Sequence, residues 1–259
     1  MRKLWTPSRR KLLLGGASLI ASPAILRAQV PMTGAGKGKP GGGVLTPVLT
    51  YVASGTLTYA ASSTASDAAA NLGNPAYKAT SRRCIVVVNG TPGGAIAPSS
   101  MTIDAQTATL HASEKNSDGS NNTVAIFSAP VYNTDTVGTV TMVISSSTTV
   151  TFSYDLYITN DSQLLSTTPV TNSGQSHATS QMAASITVNT VSPGILVGVI
   201  NLNGSGFTAL AFSSGETLAV AGTVGGFSLV PVLSETPHTS SCTWATLNKT
   251  WAIALATWT

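Results

Sequence analysis

The sequence predicts an all-β protein, a single antiparallel β-sandwich of jelly-roll type with about ten to twelve strands. From about residue 45 onward Thr, Ser, Ala, Val and Gly dominate, and no long stretch shows the 3.6-residue apolar period of a helix. Short β-rich runs are separated by clusters of Gly, Asn, Asp, Ser and Pro, at a spacing typical of sandwiches and barrels. The domain predicted at 45–259 is long enough to enclose one core.

The first 28 residues predict an export signal. A basic stretch containing Arg9 and Arg10 precedes an apolar run from Leu12 to Leu26, and the small residue Ala28 ends the expected cleavage site. The run is broken by Gly, Ser and Pro and is shorter than the roughly 20 apolar residues of a spanning helix. The Arg pair resembles a twin-arginine signal, with a general secretory signal as the alternative. We therefore expect an exported protein (periplasmic, extracellular or virion-associated) without a stable membrane span.

Residues 29–44 predict a flexible Gly-rich linker. Its Gly36-Lys37 pair resembles part of a phosphate-binding loop. That loop, however, needs Gly where Pro31 stands and Ser or Thr where Gly38 stands. We expect no nucleotide and no other cofactor.

The charged residues are few and unevenly distributed. Of the 13 Lys and Arg residues, eight lie in the first 39 positions, where none of the 9 Asp and Glu residues lies, so the rest of the chain is mildly acidic. This distribution excludes a basic surface for nucleic acid. Charged residues make up only 8% of the chain, against about 25% in average domains. Weak repulsion between copies predicts a homo-oligomer or assembly with other structural subunits.

The clearest predicted strand is 149–159, in which apolar and polar residues alternate with the period of a sheet that has one buried face. Phe152 falls on the apolar face and is expected in the core. Tyr157 falls on the polar face and is therefore the candidate for a surface contact. The alternation at 140–144 and the polar stretch 145–148 predict a hairpin before this strand.

Three other runs, at 84–88, 194–200 and 250–258, are apolar on both faces and predict central strands. In the last run, bulky residues alternate with Ala252, Ala254 and Ala256. This pattern predicts a strand that a neighbouring layer approaches closely from its alanine side.

Five segments resemble, in their order, the Ser/Thr/Ala/Gly-rich β-sandwich proteins encoded by phage and prophage-type genes of alphaproteobacteria. They are "GTLTYAASS", "SRRCIVVV", "SSMTIDAQTATL", "FSAPVYNTDTVGTVTMVIS" and "YDLYITND", and the likeness covers about residues 50–259. The resemblance implies a virion or tail-associated structural component, with a trimer ahead of a dimer, and it brings no catalytic residues. The export-type leader also allows a cell-surface protein built on the same module.

Two cysteines, Cys84 and Cys242, both lie in predicted strands. Export permits a disulfide between them, and the alternative is two buried small hydrophobic residues. No Cys/His spacing suits zinc, so no metal site is predicted.

The candidates for catalysis are isolated in the sequence. His111, His177 and His238 stand apart, and no Gly-x-Ser-x-Gly motif is present. Asp104 and Asp155 are the acids placed within strands, where solvated outer positions are expected.

Two further segments have a structural and a binding interpretation. The segment 114–122 is rich in oxygen ligands but lacks a calcium-loop pattern, so it predicts a turn. The tryptophans near the C-terminus, Trp244, Trp251 and Trp258, could stack on sugar rings, but core filling is the favoured interpretation.

Taken together, these features predict a non-catalytic structural or adhesive protein of a virion (tail, fibre or decoration type) or of a cell surface. The alternative is an exported glycan-binding module or glycan-active enzyme, with a cell-surface glycan as its partner.

Overall fold

The computed structural model describes a set of segments within one compact unit, Val44–Thr259. They are 48–73, 82–94, 96–116, 121–131, 136–160, 168–169, 171–190, 194–203, 208–220, 224–232, 237–245 and 249–258. Only the backbone is described at 160, 177–180, 208, 231, 232 and 249. The predicted export signal at 1–28, with Arg9 and Arg10, and the predicted linker at 29–44 lie outside the described residues.

The all-β class is confirmed, since the described residues form 14 strands and no helix. Accordingly, they include no helix that is long and apolar enough to cross a bilayer. The strands are β1 (Leu49–Asn71), β2 (Arg82–Gly90), β3 (Pro98–Ile103), β4 (Gln106–Lys115), β5 (Thr123–Val131), β6 (Val137–Asn160), β7 (Thr171–Gln181), β8 (Ala183–Val188), β9 (Gly194–Leu202), β10 (Thr208–Phe212), β11 (Thr217–Leu218), β12 (Gly225–Val232), β13 (His238–Ala245) and β14 (Lys249–Trp258).

The first six strands form a sheet that closes on itself through the long strand β6. One edge of β6 pairs with β1; on the other edge, the end of β6 pairs with β2 and its beginning with β3. Because β2, β5, β4 and β3 are hydrogen-bonded in that order, β2 to β6 close into a five-stranded barrel. This closed arrangement differs from the predicted jelly-roll sandwich, in which two open sheets face each other.

The hairpin predicted at 145–148 is wrong, because β6 runs through these residues as one strand of 24 residues. The β1–β6 ribbon bends at this point instead. The pairing register shifts on both sides of Ser62, and the neighbouring Ala61 has a φ of 52°. Irregular pairing of this kind bends a ribbon without reversing it. The polar stretch 145–148 therefore marks a bend in a continuous ribbon and not a turn that joins two strands.

The remaining strands add two sheets, one ordered β11–β12–β9–β14–β7 and the other β10–β13–β8. Three apolar cores result. The first fills the barrel, the second lies between the barrel and the five-stranded sheet, and the third lies between that sheet and the three-stranded one. The five-stranded sheet is thus the middle layer of the unit.

The middle layer confirms the prediction of strands that are apolar on both faces. Every residue of β9, in the middle layer, is buried. Every residue of β2, which belongs to the barrel, is buried as well. In β14 the alanines Ala252, Ala254 and Ala256 are fully buried in the core against the barrel. Its bulky residues Trp251, Ile253 and Leu255 belong to the core against the three-stranded sheet. The alanine face therefore allows the close approach that the sequence predicts.

The alanine face gives the first test of this packing. Ala254→Leu should destabilise the protein by about 1–3 kcal/mol, because added methylenes at a close-packed face force strain. Ala68→Leu, at an exposed position of β1, is the matched control and should stay within about 0.5 kcal/mol of wild type. Urea unfolding followed by tryptophan fluorescence measures both. Equal effects would mean that the middle layer has room at Ala254.

Candidate functional site

Polar side chains join the barrel to the middle layer at the rim of their shared core. Glu114, on the barrel strand β4, accepts a hydrogen bond from Ser176 of β7 at 2.9 Å. Asn122 donates to the Thr250 hydroxyl at 3.2 Å, and the amide of Asn201 donates to the carbonyl oxygen of Gly90. Directional bonds at the rim fix how two apolar layers face each other, which burial alone does not.

The most connected of these groups is Asp155 on β6, which is only 6% exposed. Its Oδ2 accepts from the backbone N–H of Gly226 on β12 at 2.6 Å, and its Oδ1 accepts from the Ser54 hydroxyl of β1. The Ser54 oxygen in turn lies 2.7 Å from the Tyr51 hydroxyl. The expectation that Asp155 is solvated is therefore wrong: the carboxylate is a buried link between layers.

A cavity of about 290 Å³ lies beside Asp155, between the outward face of the barrel and the end of the middle layer. Its polar lining consists of Ser54, Thr56, Asn89, Ser153 and Asp155. Ser54, Thr56 and Ser153 are exposed, so the cavity is open to solvent at their side. Asn89 is 5% exposed and lies at the closed side. This arrangement offers hydrogen-bond donors and acceptors around one recess.

The prediction that Tyr157 makes a surface contact is wrong, because Tyr157 is 1% exposed. The alternation does correspond to two different faces of the strand, but the middle layer covers the face that carries Tyr157. Its hydroxyl has no hydrogen-bond partner among the described residues. Burial raises the pKa of Tyr157 well above its usual value, with smaller contributions from Asp155 and Tyr51. Phe152, on the other face, is buried in the barrel as predicted.

Cys84 and Cys242 are both buried and do not form the disulfide that export permits. Cys84 belongs to the core inside the barrel, and Cys242 to the core beneath the three-stranded sheet. Burial raises the pKa of the Cys242 thiol to about 12. A thiol that stays protonated is a poor nucleophile, and both residues act as small hydrophobic side chains.

His111 contacts a serine inside the protein. Its Nε2 lies 2.6 Å from the Ser128 hydroxyl, and its ring packs edge-on against Trp258 at 5.4 Å between ring centres. Burial, with a smaller contribution from Arg83, lowers the pKa of His111 to about 4. No carboxylate of the described part hydrogen-bonds to His111, so this pair lacks the third member that orients a catalytic base.

A second buried histidine lies on the far side of the middle layer. His238 Nε2 is 3.1 Å from Glu216 Oε1, and both residues are buried. Ser240, two residues further along β13, is fully buried, and its hydroxyl has no partner among the described residues. The serine is therefore not hydrogen-bonded to the histidine. The His238–Glu216 pair joins the residue that precedes β11 to the first residue of β13. The His177 side chain lies outside the described residues.

The other residues that the sequence suggests as candidates for binding or catalysis have structural positions. Trp244, Trp251 and Trp258 are 3%, 2% and 0% exposed, which agrees with core filling. Asp104 is not within a strand but in the turn between β3 and β4, with a φ of 50°. The centre of the segment 114–122 lies outside the described residues. Within the described ranges, no three His, Cys, Asp or Glu side chains gather in a way that could hold a metal ion.

Comparison with known proteins adds no family. No protein-family model matches the chain, and no curated protein matches it. Among solved structures, the chain is similar to a conserved protein of unknown function from Pseudomonas aeruginosa PAO1. The two are 9% identical, with a TM-score of 0.27, and the match covers 81% of this chain and 98% of the other. A similarity at this level carries neither fold nor function to the present chain.

The Asp155 link gives a prediction about stability. Asp155→Leu keeps the approximate size but removes both acceptors, and it should cost about 2–3 kcal/mol, because the buried Gly226 N–H is left without a partner. Asp155→Asn keeps one carbonyl oxygen and should lose less. Ser54→Ala is the control that removes only the bond from β1. Urea unfolding ranks the three variants, and a wild-type stability in Asp155→Leu would contradict the linking role.

The low pKa of His111 predicts how stability depends on pH. Its pKa falls from 6.5 in the unfolded chain to about 4 in the folded protein. The unfolded state therefore binds the proton first, so stability that is complete above pH 6.5 is lost as the pH falls towards 4.

The test compares wild type with His111→Gln, which can still bond to Ser128 but does not titrate. Wild type should lose stability more steeply than the variant across this window, as measured by the free energy of unfolding at each pH. Two parallel curves would refute a buried neutral His111.

Proposed function

We propose that this chain is an exported, non-catalytic structural or adhesive protein of a virion or cell surface, which acts as a homo-oligomer. One observation carries the proposal: the β1–β6 ribbon presents a long, hydroxyl-rich surface almost without charge. Its strands have 23 and 24 residues, and Asp67 and Asp155 are their charged residues. Asp155 is buried, and Asp67 accepts a hydrogen bond from the Tyr154 hydroxyl at 2.7 Å.

The exposed face of the ribbon carries cross-strand pairs of hydroxyls. Thr58 and Thr151 are 3.4 Å apart, and Ser66 and Thr141 are 2.7 Å apart. Short hydroxyl side chains lose little rotamer freedom when another surface covers them. Such a surface suits repeated contacts between identical copies more than the binding of a charged partner.

The free edge of β1 supports the same proposal. Within the described residues β1 pairs with β6 alone, so its outer edge carries backbone groups that no strand covers. Neither lysine nor proline occurs within β1 to block a further strand. Strand addition at such an edge is a general mode of assembly.

Export is supported by the basic and apolar leader, and a virion origin by the segments that resemble phage-type proteins. The resemblance also places a trimer ahead of a dimer. Two of the groups that could have suggested catalysis are occupied in packing: Asp155 joins two layers, and His111 is buried and neutral.

The assembly is tested by light scattering of the exported protein at micromolar concentration, where we expect an oligomer. Thr58→Lys on the β1 surface should shift the mass towards the monomer, because it places a desolvated charge in the contact. Thr187→Lys is the matched control, since Thr187 forms the equivalent exposed pair with Thr239 at 2.9 Å on another sheet. A monomeric wild type, or equal dissociation of both variants, would defeat the proposal.

A further inference from the structure

We propose that the cavity beside Asp155 binds one neutral, hydroxyl-rich unit, such as a single sugar residue. This inference goes beyond the assembly proposed above and holds whether or not the copies associate. It starts from Asn89, which lines the cavity and is only 5% exposed. None of the hydrogen bonds among the described residues involves its side-chain amide.

An unused amide in such a position needs a reason. Buried polar side chains in proteins nearly always have a hydrogen-bond partner, which is either protein or water. The Asn89 amide is not one of the fully enclosed unpaired groups of the described residues, so its partner lies in the cavity: water, or a ligand that replaces water. Asn89 offers two donors and an acceptor to the cavity. A ligand with adjacent hydroxyl groups can use both kinds of group, since each hydroxyl donates and accepts.

The charge of the cavity excludes ions. The single carboxylate of its described lining, Asp155, already accepts two hydrogen bonds, from Gly226 and Ser54. One engaged carboxylate is too few for a calcium-type cation, which takes six to eight oxygen ligands. The same negative charge repels anions, and no described lining residue is basic. A neutral ligand remains.

The rest of the lining fits a ring that has polar edges and an apolar face. The hydroxyls of Ser54, Thr56 and Ser153 lie at the open side, and Val220 and Val224 form an apolar wall. The volume of about 290 Å³ is at the small end of ligand sites. It therefore suits one unit and not an extended chain.

The test uses saturation-transfer NMR on the exported protein, with D-glucose, D-galactose, D-mannose and N-acetyl-D-glucosamine as probes. At least one should bind saturably, in the millimolar range typical of one small polar unit. D-glucuronate should bind less well than D-glucose, because the Asp155 carboxylate repels its negative charge. No saturable binding by any neutral sugar, or tighter binding of a charged one, would overturn the proposal.

Two variants tie binding to this cavity. Asn89→Leu removes the amide at similar size, and Ser153→Gln fills the open side from an exposed position; each should weaken binding about tenfold or more. Thr187→Gln, at an exposed position outside both the lining and the β1–β6 ribbon, should bind as wild type does. Retention of affinity in Ser153→Gln, whose fold the melting temperature checks, would also refute the site.

A sugar unit can come either from the end of a glycan or from a free sugar in solution. Oligosaccharides that end in the bound sugar distinguish these two sources. If they bind as well as the free sugar, the ligand is the end of a glycan. If only the free sugar binds, the ligand is a soluble polyol. Because light scattering measures assembly separately, loss of this proposal leaves the proposed function intact, and the reverse also holds.

Discussion

The structure depends on one constraint: the middle layer must be apolar on both faces and must carry small side chains on the face towards the barrel. β9 and β14 pair side by side and are buried between the barrel and the three-stranded sheet. Successive side chains of a strand point to opposite faces, so covering both faces buries every side chain of the strand and not only every second one. A few strands therefore stabilise two interfaces at once. The alanines of β14 let the barrel approach closely, while the large side chains of Phe227 and Trp251 are buried in the core on the other side.

That constraint explains why the polar groups lie where they do. Apolar layers can slide, so their relative position is set by directional bonds at the rim of the shared core. Asp155 and Glu114 are the carboxylates among the rim groups described above, and a carboxylate that accepts a hydrogen bond makes a charge-assisted one. The burial of Asp155 is tolerated because both oxygens have donors. The same covering layer removes Tyr157 from solvent.

The sequence predicts what depends on neighbours along the chain and misses what depends on distant strands. The run 250–258 carries the pattern of bulky residues and alanines, so its burial and its close-packed side could be predicted. Alternation around Phe152 and Tyr157 shows that two faces differ, but the polar neighbours of Tyr157 suggest solvent where a second layer lies. The barrel closure could not be predicted, because it depends on which strands pair with each half of β6. No residue pattern within β6 itself indicates those partners. Asn89 gives no sequence signal at all, since its role follows from the cavity that three strands form around it.

The surface features follow from the small number of charged residues in the chain. A chain that buries two sides of its middle layer uses its few carboxylates as links, and little charge is left on the β1–β6 ribbon. The ribbon can then approach a flat neighbour, while its free edge offers backbone groups for hydrogen bonding. Asn89 is different, because its amide lines the cavity and makes no hydrogen bond among the described residues. Packing uses Asp155, His111 and the tryptophans, and assembly can use the hydroxyls of the ribbon. Neither packing nor the proposed assembly uses the Asn89 amide, and for that reason we infer that it binds a ligand.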